Sequence, residues 1–305
     1  MLTTAPATYS RPIAPPGDAS RIIAEVEALP QDQCLVSQGD YIVFLAGAGQ
    51  IPSALEEIGR LREITFREVG EGTGAARDLD TYDTYYWHLF IWDKTAQHIV
   101  GGYRIGEGEV IYNSRGIGGF YISSLFAIDE AFGDVLRQSV ELGRSFVLSE
   151  YQKKRLPLFL LWKGILYFLM KRPSCRYLIG PVSISKFYSD LSKSLIVAFV
   201  KEKYFDEHHA RFIIPRKPFT VPLQDINLQS ALKELQDIDA LENFLEHIEP
   251  DYFRLPVLLK QYIRQNARFI GFNLDPNFND ALDGLMLLDL QNIRAETIEN
   301  LSKSW

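Results

Sequence analysis

Two periodicities alternate along this chain, and the points where one gives way to the other mark its elements. The apolar run "DYIVFLAGAG" (40–49), closed by glycines, predicts a strand, and Pro52 to Arg67 then carries apolar residues at helical spacing. "WHLFIWD" and "QHIVGGYRIG" read as neighbouring antiparallel strands joined by a turn at Asp93 and Lys94. "FYISSLF" predicts a further short strand, Asp129 to Arg137 a helix, and "VELGRSFVL" another strand. Lys153 to Met170 reads as a helix ended by Pro173, "RYLIGPVSI" as the next strand and Phe187 to Tyr204 as the following helix.

Beyond about residue 210 the pattern loosens. "IIPRKPFTVP" reads as a linker or extended crossing, and Leu228 to Leu245 as an acidic segment with helical spacing. "LPVLLKQYIRQNARFIGFNLD" predicts a helix then a strand, and "ALDGLMLLDL" a last strand. This succession predicts an α/β (α+β) protein, in which ligands commonly bind outside the strand ends. Three segments are expected: an N-terminal extension (1–37), a core (38–210) and a C-terminal α/β extension (211–305) that packs on the core.

Composition narrows this picture. The 305 residues are 47% hydrophobic, enough for one large core or two closely joined ones. A formal charge of -7 gives no global support for nucleic-acid binding, yet the local cluster "QKKR" (152–155) suits an acidic partner. The apolar run Leu156 to Met170 is interrupted by Lys163 and falls short of the roughly 20 residues a bilayer span needs. It reads as a buried helix, with an interfacial role as the alternative that its basic flanks would suit. Two cysteines and a start without an apolar signal segment make a reducing, cytoplasmic location the expectation.

The candidate chemistry is spread over several segments. Glu141 and Arg144 would face opposite sides of an ideal strand, so only a bulge or twist around Gly143 would bring them together. They are either an edge-of-strand charge pair or an amine base with a carboxylate-binding partner. Asp78, Asp80 and Asp83 in "RDLDTYD" do not meet the demands of a calcium loop. They are either a solvated acidic loop or a site for a substrate ammonium. The five histidines show no zinc spacing, so no metal is expected. Ser183 and Ser185 lack a nucleophile-elbow frame and suit capping. Tyr188 either packs or protonates a departing thiolate.

Taken together, "ELGRSFVLSEYQKKRLPLFLLWKGILYFL", "RYLIGPVSIS", "LREITFREVG", "DLDTYDTYYWHL" and "LPVLLKQYIRQNARFIGFNLDPNFNDALDGLMLLDL" resemble the bacterial ornithine-lipid type N-acyltransferases. This is the hemolysin-like branch of the GNAT superfamily, related in fold to acyl-homoserine-lactone synthases. The resemblance runs from about residue 38 to residue 290. It implies a GNAT-like central mixed, twisted sheet flanked by helices. It also implies transfer of a long, in some cases 3-hydroxylated, acyl group from acyl carrier protein to the α-amine of a small amino acid such as ornithine or glycine. The product would be a lyso-aminolipid, completed by a separate O-acyltransferase. No tightly bound cofactor is implied; acyl carrier protein, through its phosphopantetheine thioester, or acyl-CoA would be the co-substrate.

By the same resemblance Arg62, Phe66, Asp80, Asp83 and Arg104, with Glu141 and Arg144, shape the amino-substrate and acyl-donor sites. Glu141, Arg144 and Tyr188 are the candidate catalytic residues, and Ser183 joins the substrate-binding set. The common acetyltransferase phosphate loop, Q/R-x-x-G-x-G/A, is replaced here by "QKKRLP", which has no glycine. Lys153, Lys154 and Arg155 would instead receive an acidic carrier protein. The alternatives are an acyl-CoA-dependent acyltransferase acting on another amine, and a non-catalytic module binding acyl carrier protein or lipid. Contact with a membrane would be peripheral.

Overall fold

The computed structural model describes residues 11–220, 232, 234–249 and 254–293. Its first elements are α1 (Ala19–Glu27), β1 (Cys34–Gln38), β2 (Tyr41–Gly47), α2 (Pro52–Glu68), β3 (Trp87–Asp93) and β4 (His98–Glu107). Next come α3 (Gly108–Arg115), β5 (Phe126–Ile128), α4 (Gly133–Arg137), β6 (Ser139–Val147), α5 (Ser149–Gln152) and α6 (Arg155–Met170). The chain continues through β7 (Tyr177–Ile184), α7 (Asp190–Lys203), α8 (Glu207–Ala210) and β8 (Ile213–Pro215). Helices Ile238–Ile248 and Val257–Arg264 precede β9 (Arg268–Asp275) and β10 (Ala281–Asp289).

The chain divides into two compact units. The first comprises the residues through Ile105, Arg144–Lys171 and Pro276–Asn279. Its strands β1, β2, β3 and β4 form an antiparallel run, with His88 of β3 opposite Arg104 of β4. The fully buried Leu160, Leu161, Ile165 and Phe168 of α6 belong to this unit's core, whose helix contacts run to β1, β2 and β3. Gly164 sets how closely that helix lies, since a Cβ there would meet Val43 Cγ1 at 2.9 Å and Leu89 Cδ1 at 3.0 Å. The apolar face of Leu158 to Leu169 is thus largely core.

Helix α2 starts on Pro52, whose fixed φ suits a first helical position. Ile58, Arg62 and Phe66 recur every four residues and share its buried face. Gly59 allows close approach of the next segment. A Cβ there would lie 2.5 Å from Leu79 Cγ, and its carbonyl accepts the Asp78 amide at 2.9 Å. The acidic loop is therefore pinned to α2.

The second unit comprises Gly106–Gly143, Arg172–Asp275 and the residues from Asp280 onward. Here β6 pairs parallel with β7 over Ser139–Glu141 against Tyr177–Ile179, β7 pairs antiparallel with β10, and β10 with β9. This sheet is mixed, and α7 packs on β9. β5 and β8 make a separate two-stranded sheet. Strand β6 is shared, because Ser139–Gly143 belongs to the second unit and Arg144–Val147 to the first.

Several elements depart from the sequence reading. "FYISSLF" begins as a 3-10 turn at Tyr121–Ser124, because the Ser123 and Ser124 hydroxyls donate back to the carbonyls of Phe120 and Tyr121, and only Phe126–Ile128 is strand. The helix expected over Asp129 to Arg137 starts as a 3-10 turn capped by Asp129 and is α-helical only from Gly133. Ile213–Pro215, in the segment expected as a linker or extended crossing, is a strand, in keeping with the second alternative. The segment expected as a helix over Leu228 to Leu245 lies partly outside the described residues, and the described helix starts at Ile238.

Candidate active site

A cluster of three arginines and three aspartates is assembled in the first unit around Arg62 of α2, Arg104 of β4 and Arg144 of β6. Asp78, Asp80 and Asp83 of the pinned loop face them. The loop fixes its own carboxylates. Asp80 Oδ1 accepts the Tyr82 amide at 2.9 Å and Asp83 Oδ2 accepts the Asp80 amide at 2.8 Å, a reciprocal cap on the 3-10 turn Thr81–Thr84.

The inner layer is buried and fully ionic. Arg62 donates through both terminal nitrogens to Asp83 Oδ1, at 3.0 and 2.7 Å, and its Nε lies 3.8 Å from Asp78 Oδ2. Arg104 Nη1 donates to Asp80 Oδ1 at 2.6 Å and lies 3.2 Å from Asp83 Oδ2, with the Tyr82 and Tyr86 rings beside its guanidinium. Burial pushes the Asp83 carboxyl up, but Arg62 and Arg104 together outweigh it and hold it below the usual carboxylate range. Burial alone dominates at His88, pushing its imidazole down to about 4 beside Arg62. His88 Nε2 lies 2.9 Å from the Asp83 carbonyl oxygen, which can only accept, so the proton sits on Nε2. With His88 neutral, three positive and three negative charges balance.

The outer layer is Arg144 with Asp80. Their side chains are 10% and 27% exposed, against at most 3% for Arg62, Arg104, Asp78 and Asp83. Arg144 Nε lies 2.9 Å from Asp78 Oδ2, its Nη2 lies 3.7 Å from Asp80 Oδ2, and its guanidinium covers the Phe278 ring at 4.9 Å. Phe278 in turn meets the Phe66 ring edge-on at 5.0 Å. Arg144 has φ 51°, a left-handed conformation that costs a non-glycine residue about 1–3 kcal/mol. The strand irregularity anticipated at Gly143 therefore falls on Arg144 itself.

Of the residues singled out from sequence, Arg62, Asp80, Asp83, Arg104 and Arg144 meet in this cluster, with Phe66 joined to it through Phe278. Asp78, His88 and Phe278 complete it. Asp78 lay in the noted acidic run, whereas a lone polar residue in an otherwise apolar strand was the signal for His88. Glu141, Tyr188 and Ser183 sit in the second unit. Glu141 is buried and accepts the backbone amides of Tyr121 at 3.1 Å and Ile122 at 2.9 Å. The Tyr188 hydroxyl donates to the Arg254 carbonyl. Ser183 Oγ donates to Asp283 Oδ1 at 2.7 Å.

Lys153, Lys154 and Arg155 are exposed, with Lys154 Nζ 4.7 Å from the Tyr151 ring centre. The Tyr151 and Lys154 amides donate to the carbonyls of Leu148 and Tyr151, Pro157 lacks an amide, and no residue from Ser149 to Arg155 has positive φ. Among the described residues no helix is long and apolar enough to cross a membrane, and no group of three or more His, Cys, Asp or Glu is placed to hold a metal ion.

Residues 61–162 match the acetyltransferase (GNAT) domain family. The chain is 32% identical to a glycine N(alpha)-acyltransferase of Bacteroides thetaiotaomicron over 75% of its own length and 65% of that protein's, just under two thirds of the relative. It is 31% identical to a glycine N(alpha)-acyltransferase of Phocaeicola vulgatus, over 75% of this chain and 67% of the relative. An L-ornithine N(alpha)-acyltransferase of Agrobacterium fabrum matches at 27% identity over 78% of this chain and 76% of its own. Among solved structures, the CoA-dependent acyl-homoserine lactone synthase BjaI aligns with a TM-score of 0.43 at 12% identity, covering 86% of this chain and 88% of its own.

Proposed function

The chain belongs to the family of these amino-acid N(alpha)-acyltransferases, and on that premise we propose that it transfers a long-chain acyl group from a thioester to the α-amine of a small amino acid, giving a lyso-aminolipid. The observation that carries the reading is the outer layer of the charge cluster. A zwitterionic amino acid presents a carboxylate and an ammonium a few ångströms apart, and Arg144 with Asp80 presents the complementary pair at 3.7 Å. Arg144 would take the carboxylate and Asp80 would orient the amine before it loses its proton.

The charge balance supports a small neutral acceptor such as glycine over ornithine. A second ammonium would need a further carboxylate, and in this cluster each aspartate already faces an arginine. The glycine-free turn before α6 and its exposed basic residues favour a thioester on acyl carrier protein over acyl-CoA. No resident cofactor enters this reaction. The enzyme would work in the cytoplasm, with peripheral membrane contact where the lipidic product leaves and a separate O-acyltransferase to complete it.

The test is to offer the purified protein long-chain acyl carrier protein or long-chain acyl-CoA with a mixture of amino acids, and to read the products by mass spectrometry. N-acyl glycine formed chiefly from the carrier-protein donor is the expected result. Product mainly from acyl-CoA would overturn the carrier assignment alone. No N-acyl amino acid from either donor, with the protein folded, would overturn the activity and favour a binding module.

A further inference from the structure

The second unit also contains an open cleft of about 400 Å³, within the size range of small-molecule sites, to which the reading above gives no role. Strand pairing builds its floor. Tyr177 of β7 lies opposite Asp289 of β10, and Leu287, two residues before Asp289 and so on the same face, lies opposite Arg268 of β9. Residues 204–206 run beside the start of β9, where the Phe269 amide donates to the Tyr204 carbonyl at 2.8 Å and the Asp206 amide to the Phe269 carbonyl at 2.9 Å. That pairing carries α8, with His209, to the cleft. Asn266, left-handed at φ 69°, donates through Nδ2 to the Asn292 carbonyl at 2.9 Å and ties the rim.

The carboxylates of the cleft are engaged by the protein. Asp206 Oδ1 accepts the His209 amide at 3.1 Å, and its Oδ2 accepts the His209 Nδ1 proton across 2.6 Å. Asp289 Oδ1 accepts the Gln291 amide at 3.0 Å, and its Oδ2 takes Nε and Nη2 of Arg176 at 3.2 and 2.8 Å. Burial pushes both carboxyls up, but these bonds outweigh it and hold both below the usual carboxylate range. Donors are left over. Arg268 gives Nη1 to the Lys203 carbonyl at 2.7 Å and, among the described residues, has no carboxylate partner. His209 Nε2 and Arg176 Nη1 also stay without a partner among them. With Arg176 matched by Asp289, and Asp206 by a protonated His209, the charge of Arg268 remains uncompensated.

Arg268 keeps Nε and Nη2 for a ligand, and a protonated His209 adds Nε2 from a different element. Three donors arriving from two elements suit the oxygens of a tetrahedral phosphate better than the two oxygens of a planar carboxylate, which one guanidinium already satisfies. An anion beside the imidazole also favours its protonated form. The cleft is larger than a bare phosphate fills. Its Tyr177 ring has the Arg176 guanidinium 5.0 Å from its centre and the His209 ring edge-on at 6.2 Å. We propose that the cleft binds a phosphate monoester of a small polar molecule, with Arg268 and His209 on the phosphate and Tyr177 and Arg176 beside the rest of the ligand. Every group in it belongs to the second unit, so the site is independent of the N-acyltransfer reading.

Isothermal titration calorimetry at constant ionic strength tests the site, with inorganic phosphate, glycerol phosphate and AMP as probes and acetate as the control. Saturable binding of the phosphate probes but not of acetate is expected, with at least one ester about tenfold or more tighter than inorganic phosphate. Tighter binding of AMP than of glycerol phosphate would identify a planar body against Tyr177, and the reverse an aliphatic one. Arg268→Gln and His209→Asn should each weaken binding by about tenfold or more, as loss of a charged hydrogen bond does. His209→Asn keeps an amide that can reach Asp206 while removing Nε2, so it carries the test if Arg268→Gln does not fold. Arg268→Lys, which keeps the charge without the fork, should weaken binding less than Arg268→Gln. Inorganic phosphate binding as tightly as both esters would overturn the ester assignment. No saturable binding of any phosphate probe, equal binding of acetate, or an affinity within about twofold of wild type in a folded Arg268→Gln or His209→Asn variant would overturn the site.

Discussion

Arg144 Nη2 stands 3.7 Å from Asp80 Oδ2, and these two opposite charges are the most exposed members of a cluster whose other ionic side chains are at most 3% exposed. The buried members hold the loop and strand in place, and the outer two are the pair that the proposed function assigns to the amino acid. Arg144→Gln should therefore raise the KM for the amino acid by about 10- to 100-fold, the range for one charged hydrogen bond, with a smaller change in KM for the acyl donor. Initial-rate measurements with each substrate varied in turn check it. Arg144→Lys should not restore the wild-type value, because a point charge replaces a planar fork.

The inner layer should respond in stability. Asp83→Ala removes the main partner of Arg62 and half of the reciprocal cap, leaving a buried guanidinium short of its counter-charge. A loss of about 3–5 kcal/mol is expected by urea denaturation. A loss under about 1 kcal/mol would mean that the cluster is not the anchor described here.

His88 gives the cluster a pH dependence of known sign. Its imidazole is held at about 4 in the fold, against an ordinary 6.5, so between these values the unfolded chain binds the proton more readily. The contribution is complete above pH 6.5 and is lost as pH falls toward 4, amounting to roughly 3 kcal/mol. Asp83, held below the carboxylate range, adds its own loss only at still lower pH. Thermal unfolding of wild type and His88→Gln between pH 7 and pH 4 should show a steeper decline in the wild type.

The basic turn yields a kinetic prediction. Reversing Lys153, Lys154 and Arg155 to glutamate should raise the KM for acyl carrier protein by about tenfold or more, and should remove much of its dependence on ionic strength. The KM for acyl-CoA should change less. Equal effects on both donors would contradict docking of the carrier at this turn.

Close packing at Gly164 is also measurable. Gly164→Val should cost about 1–3 kcal/mol, since the added atoms meet Val43 and Leu89 in a core with little room. Differential scanning calorimetry would register it as a lowered unfolding temperature.

The strands and long helices were legible because their apolar periods are strong. β2, β3, β4, β6, β7 and α6 fall close to where the pattern places them. α1 and β1 were not read, although Asp18 caps α1 with a side-chain oxygen, and the reason is that each buries only two hydrophobic residues. Arg62, Asp80, Asp83, Arg104 and Arg144 were nameable through the resemblance, but their partners were not. Nothing local to Arg62 says that it forks onto Asp83, and nothing near Arg144 points to Phe278, which belongs to a distant turn of the chain. Ser183, without a nucleophile-elbow frame around it, suits a strand-end cap by sequence, and its partner Asp283 reaches it only through strand pairing.

The first unit takes in a short late segment, Pro276–Asn279, and that sets an order of events on the ribosome. The loop, α2 and the Arg144 strand are all synthesised long before Phe278, on the order of ten seconds earlier at ordinary elongation rates. Through that interval the nascent chain carries Arg144 without the ring that covers it in the folded protein. A chaperone or protease scanning half-made chains would meet Arg144 before its cover exists, and a chain stopped before residue 276 would never supply that cover.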